Sequence, residues 1–262
     1  MTVACFSRRA FLGCAGAISG AALLPMRADD SNRLVEYVAT ADSIDVYRKN
    51  AGKVRKLQSI ASQHPSSLAL DSSGRYLFAV NEIDDFQGLP TGSVESYRVE
   101  PANGHLALIS RIPLSLSATM PRQLALAPDR RFLVVAVYGG GLYNVLSISS
   151  NGEIGNVTQV IKEIGCSVRP HHQSTAHPHS VAFHPSGQFL FSSDQGADRI
   201  SVFRIDGGQM TCVQRLAAVP GSGPAGLAIE SSGSHLVVKH EFNPAISRYR
   251  FDPTSELLFR LS

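Results

Sequence analysis

Side chains that could perform acid–base chemistry are concentrated between residues 177 and 199. This stretch contains His177 and His179, followed by Asp194, Asp198 and Arg199. The imidazole of His179 could serve as a general base, and Asp198 could orient it. The guanidinium of Arg199 could stabilise a developing negative charge or bind an anion through two parallel hydrogen bonds. We add His177 and Asp194 as candidates for substrate binding.

Further polar side chains occur at matching places elsewhere in the chain, each next to a short apolar segment. Glu82 and Glu241 could act as bases if burial raises their pKa values. Arg122 could supply a second positive charge for an oxyanion or an anionic substrate. Tyr138 and His240 are further candidates for substrate binding.

Several of these residues also have a purely structural interpretation. Asp194 and Asp198 are turn-forming residues whose side chains can bind nearby backbone amides. Glu82, at the end of an apolar segment, could be a surface acid. The glycines at 139–141 most simply permit a tight turn, because a phosphate-binding loop would require a following helix and none is predicted.

The apolar segments beside these residues form an internal repeat. Pro65–Glu82 aligns with Pro121–Tyr138, Pro178–Asp194 and Pro224–Glu241, and the copies start 56, 57 and 46 residues apart. A fourfold motif at this spacing is typical of the blades of a β-propeller. The strands of a β-sandwich share hydrophobic alternation but not such a repeat, so the sandwich is the weaker alternative.

Each copy has the pattern of two strands, A and B, and is followed by a third strand, C, and in three copies by a weaker fourth, D. The sequence therefore predicts an all-β fold, a β-propeller of four-stranded antiparallel blades. Residues 33–60 hold three more strands, which we interpret as B, C and D of a first blade without strand A, giving about five blades. The predicted C strands are Ser93–Val99, Leu142–Ile148, Ile200–Ile205 and Ile246–Phe251, and the predicted D strands are Leu106–Ile112, Asn156–Ile161 and Met210–Ala217. Leu257–Ser262 is a possible D strand of the last copy.

This topology predicts where a site would lie. Strand A runs in one direction and strand B returns, so the loop entering A and the loop leaving B open at the same end of a blade. The candidate polar residues occur in those two loops, and we expect them to surround one mouth of the central channel. Convergent polar groups on loops over a rigid scaffold predict a binding site.

The first 28 residues differ from the rest of the chain. Ser7–Leu12 contains paired arginines followed by Phe and Leu, and Gly13–Leu24 is a short uncharged apolar region. This pattern is typical of a twin-arginine signal peptide, and it is too short to span a bilayer. We expect residues 1–28 to be a signal removed during export, with residues 29–262 forming the propeller domain. The expected location is the periplasm or the medium, and the expected partner in transport is the twin-arginine machinery.

Charge and cysteine content limit the other partners. All the excess positive charge lies in the signal, because the 24 Lys and Arg include Arg8, Arg9 and Arg27 whereas all 21 acids follow residue 28. The remaining chain is neutral, which argues against a nucleic-acid partner, and we expect no membrane association after signal cleavage. Cys166 and Cys212 remain after cleavage, and an oxidising compartment would permit them to pair.

Five polar or glycine-rich stretches follow one another along the repeats, namely Val80–Glu82, Tyr138–Gly141, His177–Ser180, Asp194–Arg199 and Gly221–Pro224. Together they resemble the motifs of the lactonase family of seven-bladed propellers, which includes the propeller-type 6-phosphogluconolactonases and the carboxymuconate cyclases. The resemblance covers about residues 33–262 in the right order. It implies hydrolysis of a sugar lactone with no required metal or other cofactor.

The chain also departs from the family pattern. Where the family usually has Gly-Pro-Arg-His, this chain has Gly223–Gly226, which lacks the cation and the imidazole, and His240 replaces an asparagine. The missing arginine argues against a phosphorylated substrate. Three functions therefore remain open. The first is a lactone hydrolase of the 6-phosphogluconolactonase type, which opens a sugar lactone with base-activated water and could act on an unphosphorylated one. The others are a non-catalytic or decayed propeller that acts as a binding module, and a lactone-forming cyclase.

Against seven blades, the chain would lack about two blades and the strand that closes the ring. Three explanations are open, namely a fragment of a longer protein, an open or oligomer-completed propeller, and a compact five-bladed ring. The unfilled A strand and the end at Ser262 favour the fragment.

A cluster of histidines raises the question of a metal site. Imidazoles are common metal ligands, but His171 and His172 are predicted in a long loop, and His177 and His179 have no helix to align them. His184 ends a strand at the far side from His179. The sequence therefore favours no metal.

Overall fold

Every regular element in the described residues is a β-strand. In this computed structural model the structure describes residues 33–50 and 53–261, together with the backbone of two strands before them. The strands are β1 (Phe6–Ser7), β2 (Gly20–Pro25), β3 (Arg33–Ala39), β4 (Ser43–Asn50), β5 (Lys53–Ala61), β6 (Pro65–Leu70), β7 (Tyr76–Asn81), β8 (Ser93–Val99), β9 (Leu106–Pro113), β10 (Pro121–Leu126), β11 (Phe132–Val137), β12 (Leu142–Ile148), β13 (Ile154–Lys162), β14 (Pro178–Phe183), β15 (Phe189–Asp194), β16 (Arg199–Asp206), β17 (Gln209–Ala217), β18 (Pro224–Ile229), β19 (His235–His240), β20 (Ile246–Asp252) and β21 (Leu257–Arg260).

These strands form five antiparallel sheets, and neighbours in each sheet are neighbours in the chain. The first sheet contains β1–β5, and each of the others is a four-stranded meander, β6–β9, β10–β13, β14–β17 and β18–β21. We call these sheets blades 1 to 5. In blades 2 to 5 the strands occupy positions A to D in chain order, which confirms the predicted four-stranded antiparallel blades.

The A strands form the inner side of the assembly. In chain order β2, β6, β10, β14 and β18 each contact the next one, so the blades are arranged side by side around their A strands. This arrangement brings the loops at the start of the A strands together at one end of the fold.

The first blade differs from the prediction that it lacks strand A. The strand β2 pairs antiparallel with β3, from Ala21 opposite Val38 to Pro25 opposite Leu34, and it contacts β6 of the next blade. The physical reason is the open edge of β3, whose backbone groups need partners that an adjacent strand can supply. The residues of β2 are part of the segment that the sequence assigns to the signal, and Arg8 to Leu12 of the twin-arginine pattern lie outside the described residues.

Hydrophobic packing joins the blades in sequence. Four buried clusters lie between blades 1 and 2, 2 and 3, 3 and 4, and 4 and 5, each combining alternate side chains of facing strands. Central strands such as β11 and β15 are buried along their whole length, because both of their faces are covered. In β20, by contrast, buried and exposed residues alternate, so one face of blade 5 is exposed. In the part of the chain that the structure describes, no cluster joins blade 5 to blade 1.

The predicted strands agree with the observed ones to within a few residues. The largest differences are at the outer D strands, where β13 begins two residues earlier than predicted, at Ile154, and β21 ends at Arg260. Across the described ranges, no helix has the length and apolar character needed to cross a membrane.

Candidate active site

Each of blades 2 to 5 brings one side chain to the start of its A strand through the same backbone irregularity. The pairing of strand A with strand B shifts register directly after the proline that begins strand A, so the second residue lies at a β-bulge. A bulge changes the direction of a side chain and is common beside active sites. The residues at the bulges are Ser66, Arg122, His179 and Ala225.

A second set of positions is the residue directly after strand B. Its backbone N–H donates to the carbonyl oxygen of the residue before the proline in each of these blades, over 2.7 to 3.2 Å. This bond ties the end of strand B to the start of strand A, so both positions open at the same end of the blades, as predicted. These residues are Glu82, Tyr138, Gln195 and Glu241.

We call these eight positions the mouth. The sequence analysis identified Glu82, Arg122, Tyr138, His179 and Glu241 among them. It missed three, although counting residue by residue from each repeated proline would have found them. The missed positions are Ser66, Gln195 and Ala225.

Two side chains of the mouth, Arg122 and Tyr138, form a cluster with His177, which lies beside the mouth, and we call these three groups the column. The Cζ of Arg122 lies 4.8 Å from the centroid of the Tyr138 ring, and the His177 ring is stacked on Tyr138 at 4.4 Å with an angle of 12° between the planes. The Tyr138 ring therefore contacts both Arg122 and His177. His179 approaches the same ring edge-on, with the centroids 6.1 Å apart.

Arg122 is held in this column by an ion pair. Its Nη1 lies 2.8 Å from Oε1 of Glu82, whose side chain is 7% exposed. Burial of the pair strengthens the attraction, since less water screens the two charges. The pair fixes the guanidinium over Tyr138 and neutralises much of its charge.

His177 has one hydrogen bond that defines its protonation pattern. Its Nδ1 lies 2.8 Å from the backbone carbonyl oxygen of Tyr138. A carbonyl oxygen only accepts, so Nδ1 carries the proton and donates it. In the neutral ring Nε2 is then the basic nitrogen, and the hydroxyl of Thr175, 3.3 Å away, can donate to it.

Tyr138 is a hydrogen-bond donor at neutral pH. Burial raises the pKa of Tyr138 above its ordinary value, Arg122 opposes this shift, and the carboxylates of Glu241, Asp194 and Glu82 add to it. The phenol therefore keeps its proton. Its hydroxyl makes no hydrogen bond to any other residue in the described ranges, so it can donate to a bound group.

Asp194 lies below the mouth and holds the loop that carries His177. Its Oδ1 accepts the backbone N–H groups of His177 at 2.8 Å, Gly196 at 3.1 Å and Ala197 at 2.9 Å. Burial raises the pKa of Asp194, and the bonds from His177 and Ala197 and the charge of Arg199 oppose the shift. These contacts support the turn-forming interpretation of Asp194, and its role in substrate binding stays a prediction.

Arg199 is also engaged within the fold. Its Nη2 lies 2.7 Å from Oε2 of Glu163 and 3.2 Å from Oδ2 of Asp194, and its Nη1 donates to the carbonyl of Ile164 at 3.1 Å. Arg215 binds the other oxygen of Glu163 at 3.1 Å. Two buried carboxylates therefore hold the guanidinium of Arg199. Its predicted role at an oxyanion or an anionic substrate stays a prediction.

Asp198 organises a neighbouring loop. Its oxygens accept the backbone N–H groups of Gly221 and of Gly223, the latter at 2.7 Å, as well as the hydroxyls of Ser167 and Ser222. The residue is 4% exposed and has a φ of 45°, which a short polar side chain tolerates in a tight turn. These bonds show that Asp198 holds the 221–223 loop, and its role in orienting His179 stays a prediction.

The two candidates from blade 5, His240 and Glu241, differ in their exposure to solvent. His240 is the last residue of its B strand and is 3% exposed, with Nε2 2.9 Å from Oγ of Ser247. Burial lowers its pKa, the charge of Arg260 adds to this effect, and Asp198 opposes it. His240 is thus buried, whereas Glu241 is exposed at the mouth. The substrate-binding role of His240 stays a prediction.

The histidine cluster is dispersed. His171 and His172 are exposed, and Nδ1 of His184 is 2.8 Å from Oγ of Ser186. Within the described part of the chain no three His, Cys, Asp or Glu side chains are grouped as metal ligands.

Cys166 is exposed and Cys212 is half-buried, and both are free thiols, so the structure does not contain the disulfide considered above.

The fold and the mouth define a propeller with a polar site at one end of its A strands, and comparison with known proteins gives its family. The family described as "Lactonase, 7-bladed beta-propeller" matches residues 36–261. This chain therefore belongs to the lactonase family of seven-bladed β-propellers.

Two curated relatives carry the same functional name. The 6-phosphogluconolactonase of Formosa agariphila is 25% identical over 209 residues, which cover 78% of this chain and 58% of the relative. The 6-phosphogluconolactonase of Bacillus subtilis is 20% identical over 193 residues, or 73% of this chain and 53% of the relative. The chain thus spans a little over half the length of these relatives.

Solved structures agree on the fold. The periplasmic gluconolactonase of Pseudomonas aeruginosa superposes with a TM-score of 0.75 at 28% identity, covering 94% of this chain and 68% of that one. A Bacteroides fragilis protein superposes with a TM-score of 0.80 at 22% identity, covering 90% of this chain and 68% of that one.

Proposed function

We propose that this protein is an exported lactone hydrolase that opens an unphosphorylated sugar lactone. The observation that carries the proposal is the column of Arg122, Tyr138 and His177 with His179 at its edge. It combines a base with two hydrogen-bond donors in one place. Membership of the lactonase family and the names of the relatives support the same reaction class.

His179 is the proposed general base. It projects from the bulge of an A strand at the mouth, and it contacts the edge of Tyr138. Its neutral imidazole takes a proton from a water molecule as the water oxygen forms a bond to the lactone carbonyl carbon. The carbonyl electrons move to oxygen, which becomes an oxyanion.

Tyr138 and Arg122 stabilise that oxyanion. The phenol keeps its proton because burial raises its pKa, and the guanidinium is fixed by Glu82. Both donors are held before the reaction, so no reorganisation is needed when charge develops. The intermediate collapses with cleavage of the bond between the carbonyl carbon and the ring oxygen, and this oxygen takes the proton from His179 to give an open-chain hydroxy acid.

The charges at the mouth favour a neutral substrate. Arg122 is the cation among the eight positions, and it is paired with Glu82, while Glu241 adds a second carboxylate. Blade 5 carries Ala225 at its bulge. A phosphate dianion would need unpaired positive charge, so we expect a free aldonolactone to react faster than its phosphate ester.

Export is the second part of the proposal. The paired arginines and apolar region before residue 28 support a twin-arginine signal, and a periplasmic gluconolactonase is among the structural neighbours. Expression of the full chain as a reporter fusion in a bacterium should place the reporter in the periplasm, and Arg8→Lys with Arg9→Lys should retain it in the cytoplasm. Periplasmic reporter with the double variant would refute this route.

The test of the activity is hydrolysis of glucono-δ-lactone by the purified full chain, with the spontaneous rate subtracted. We expect acceleration that falls about 100-fold or more in His179→Asn, since general-base catalysis contributes about 10²–10⁴-fold. Tyr138→Phe should lower kcat about 10-fold or more, since one oxyanion donor is removed. The 6-phosphate ester should give a lower kcat/KM.

His171→Asn is the matched control, because it removes an exposed imidazole from the loop outside the mouth and should leave the rate unchanged. Equal rates for His179→Asn and the unaltered protein would refute the assignment of the base. A folded protein that binds the lactone without turnover would instead identify a binding module.

A further inference from the structure

The C strands of the blades differ at two linked positions, which hold an acid and, two residues later, a tyrosine in blades 1 and 2. In blade 1 the hydroxyl of Tyr47 donates to Asp45 at 3.1 Å, and in blade 2 the hydroxyl of Tyr97 donates to Glu95. The acid and the tyrosine are two residues apart in both strands, so their side chains lie on the same face. A carboxylate thus satisfies each of these phenols.

Blades 3 and 4 lack both members of the pair. The strand pairing places Asn144 and Ser201 at the position of the acid, and the residues two further on are Leu146 and Phe203, which have no hydroxyl. Among these four blades, acid and tyrosine are therefore present together or absent together.

Blade 5 breaks this rule. By the same pairing Ser247 stands at the position of the acid, but the tyrosine is retained as Tyr249. Tyr249 is 0% exposed, and its hydroxyl has no hydrogen-bond partner. The Nδ1 of His240 is likewise buried without a partner, while Nε2 of this ring contacts the hydroxyl of Ser247.

Unpaired buried groups of this kind point to a ligand. A buried donor without an acceptor is rare in folded proteins, because the lost hydration is not replaced. Serine is smaller than the glutamate of blade 2 by about the size of a carboxylate group. The positive charge of Arg260 reaches this region, since it contributes to lowering the pKa of His240. The carboxylate of Asp198 has the opposite effect on the pKa of His240, but this carboxylate already accepts hydrogen bonds from four donors.

We infer that blade 5 binds a small carboxylate anion between Ser247 and Tyr249, where blades 1 and 2 use their own side chains. The anion accepts hydrogen bonds from the hydroxyls of Tyr249 and Ser247. It lies at the interface of blades 4 and 5, because Tyr249 packs in the cluster that joins them. Binding therefore stabilises the contact between these two blades, and this role is independent of the proposed hydrolysis.

The test uses formate as the probe and the thermal unfolding midpoint of the full chain as the readout. Sodium formate at about 0.1 M should raise the midpoint about 2–4 °C above the value in sodium chloride at equal ionic strength, as binding to the folded state alone requires. Tyr249→Phe should abolish the difference. Ser247→Asp should raise the midpoint in chloride and remove the response, because the chain then supplies its own carboxylate, as Asp45 does for Tyr47.

Tyr97→Phe is the matched control, since it removes a phenol that already has an internal acceptor, and its response to formate should equal that of the unaltered protein. A formate effect no larger than that of chloride would overturn the inference, because water would then fill the position. A formate effect that persists in Tyr249→Phe would overturn it as well. Tyr249→Phe should fold as well as the parent in chloride, since it removes only an unpaired hydroxyl, so the test does not depend on the aspartate variant.

Discussion

Replacing Glu163 by glutamine removes the charge at the centre of the network below the mouth. The carboxylate is 1% exposed and binds Arg199 at 2.7 Å and Arg215 at 3.1 Å. Glutamine keeps the shape but leaves two guanidinium groups facing each other with only Asp194 to balance them.

The expected loss in the free energy of unfolding depends on how deeply the ion pairs of Glu163 are buried. Removing one partner of a buried ion pair costs about 3–5 kcal/mol. Arg199 is 16% exposed, whereas Arg215 is 44% exposed, so solvent screens the second pair. We therefore expect Glu163→Gln to lower the free energy of unfolding by about 2–4 kcal/mol. For a domain of this size the loss corresponds to a fall of about 5–15 °C in the unfolding midpoint.

The assay is urea unfolding at neutral pH and low salt, followed by circular dichroism. The matched control is Glu256→Gln, which breaks an ion pair with Arg204 that is exposed to solvent, 26% and 53% for the two side chains. Exposed pairs contribute about 0–1 kcal/mol, so this variant should remain close to the parent. If Glu163→Gln loses no more stability than Glu256→Gln, the buried ion pairs of Glu163 do not stabilise the fold.

Two further predictions concern the loop beside His177 and the acid limit of stability. Gly196→Ala should destabilise the protein by about 2 kcal/mol or more, because its Cβ would lie 2.0 Å from the carbonyl oxygen of Thr175, whereas Gly226→Ala meets nothing closer than 3.6 Å and should be near neutral in the same unfolding assay. Equal effects would contradict this reasoning. Burial opposes ionisation of Asp71, but bonds from Ser73, Tyr76, Arg130 and Arg75 lower its pKa overall. Its stabilisation is thus present above the unfolded pKa, about 3.9, and is lost as pH falls through the folded pKa. Asp71→Asn should weaken the pH dependence of unfolding below about pH 4, and an unchanged dependence would contradict the assignment.

Much of the fold follows from local pattern. The repeat that begins at Pro65, Pro121, Pro178 and Pro224 predicts strands A and B in four blades, and the structure places them there. Alternation of apolar residues and turn-forming glycines is a property of each short segment, so a sequence can express it without reference to the rest of the chain. The prediction failed at β2, because pairing with the edge of β3 involves residues that local pattern assigned to a signal.

The candidate site was likewise predictable only in part, in the positions of its residues but not in all of their contacts. Counting from the repeated prolines is enough to place Arg122, Tyr138 and His179 at one end of the blades, because every blade has the same register. The roles of Asp194, Asp198 and Arg199 could not be obtained in this way. Their partners are Glu163, which directly follows the D strand of the preceding blade, the backbone amides of the turns, and the 221–223 loop.

The sequence by itself thus determined the kind of fold, the end of the blades that carries polar groups, and the residues at each repeated position. The tertiary structure alone decided which of those groups remain available for chemistry. A charged side chain binds whichever opposite charge and hydrogen-bonding groups lie nearest in space, and between blades these neighbours come from distant parts of the chain. Asp194 and Arg199 therefore became supports for His177, while Tyr138 kept a hydroxyl that can donate to a bound group.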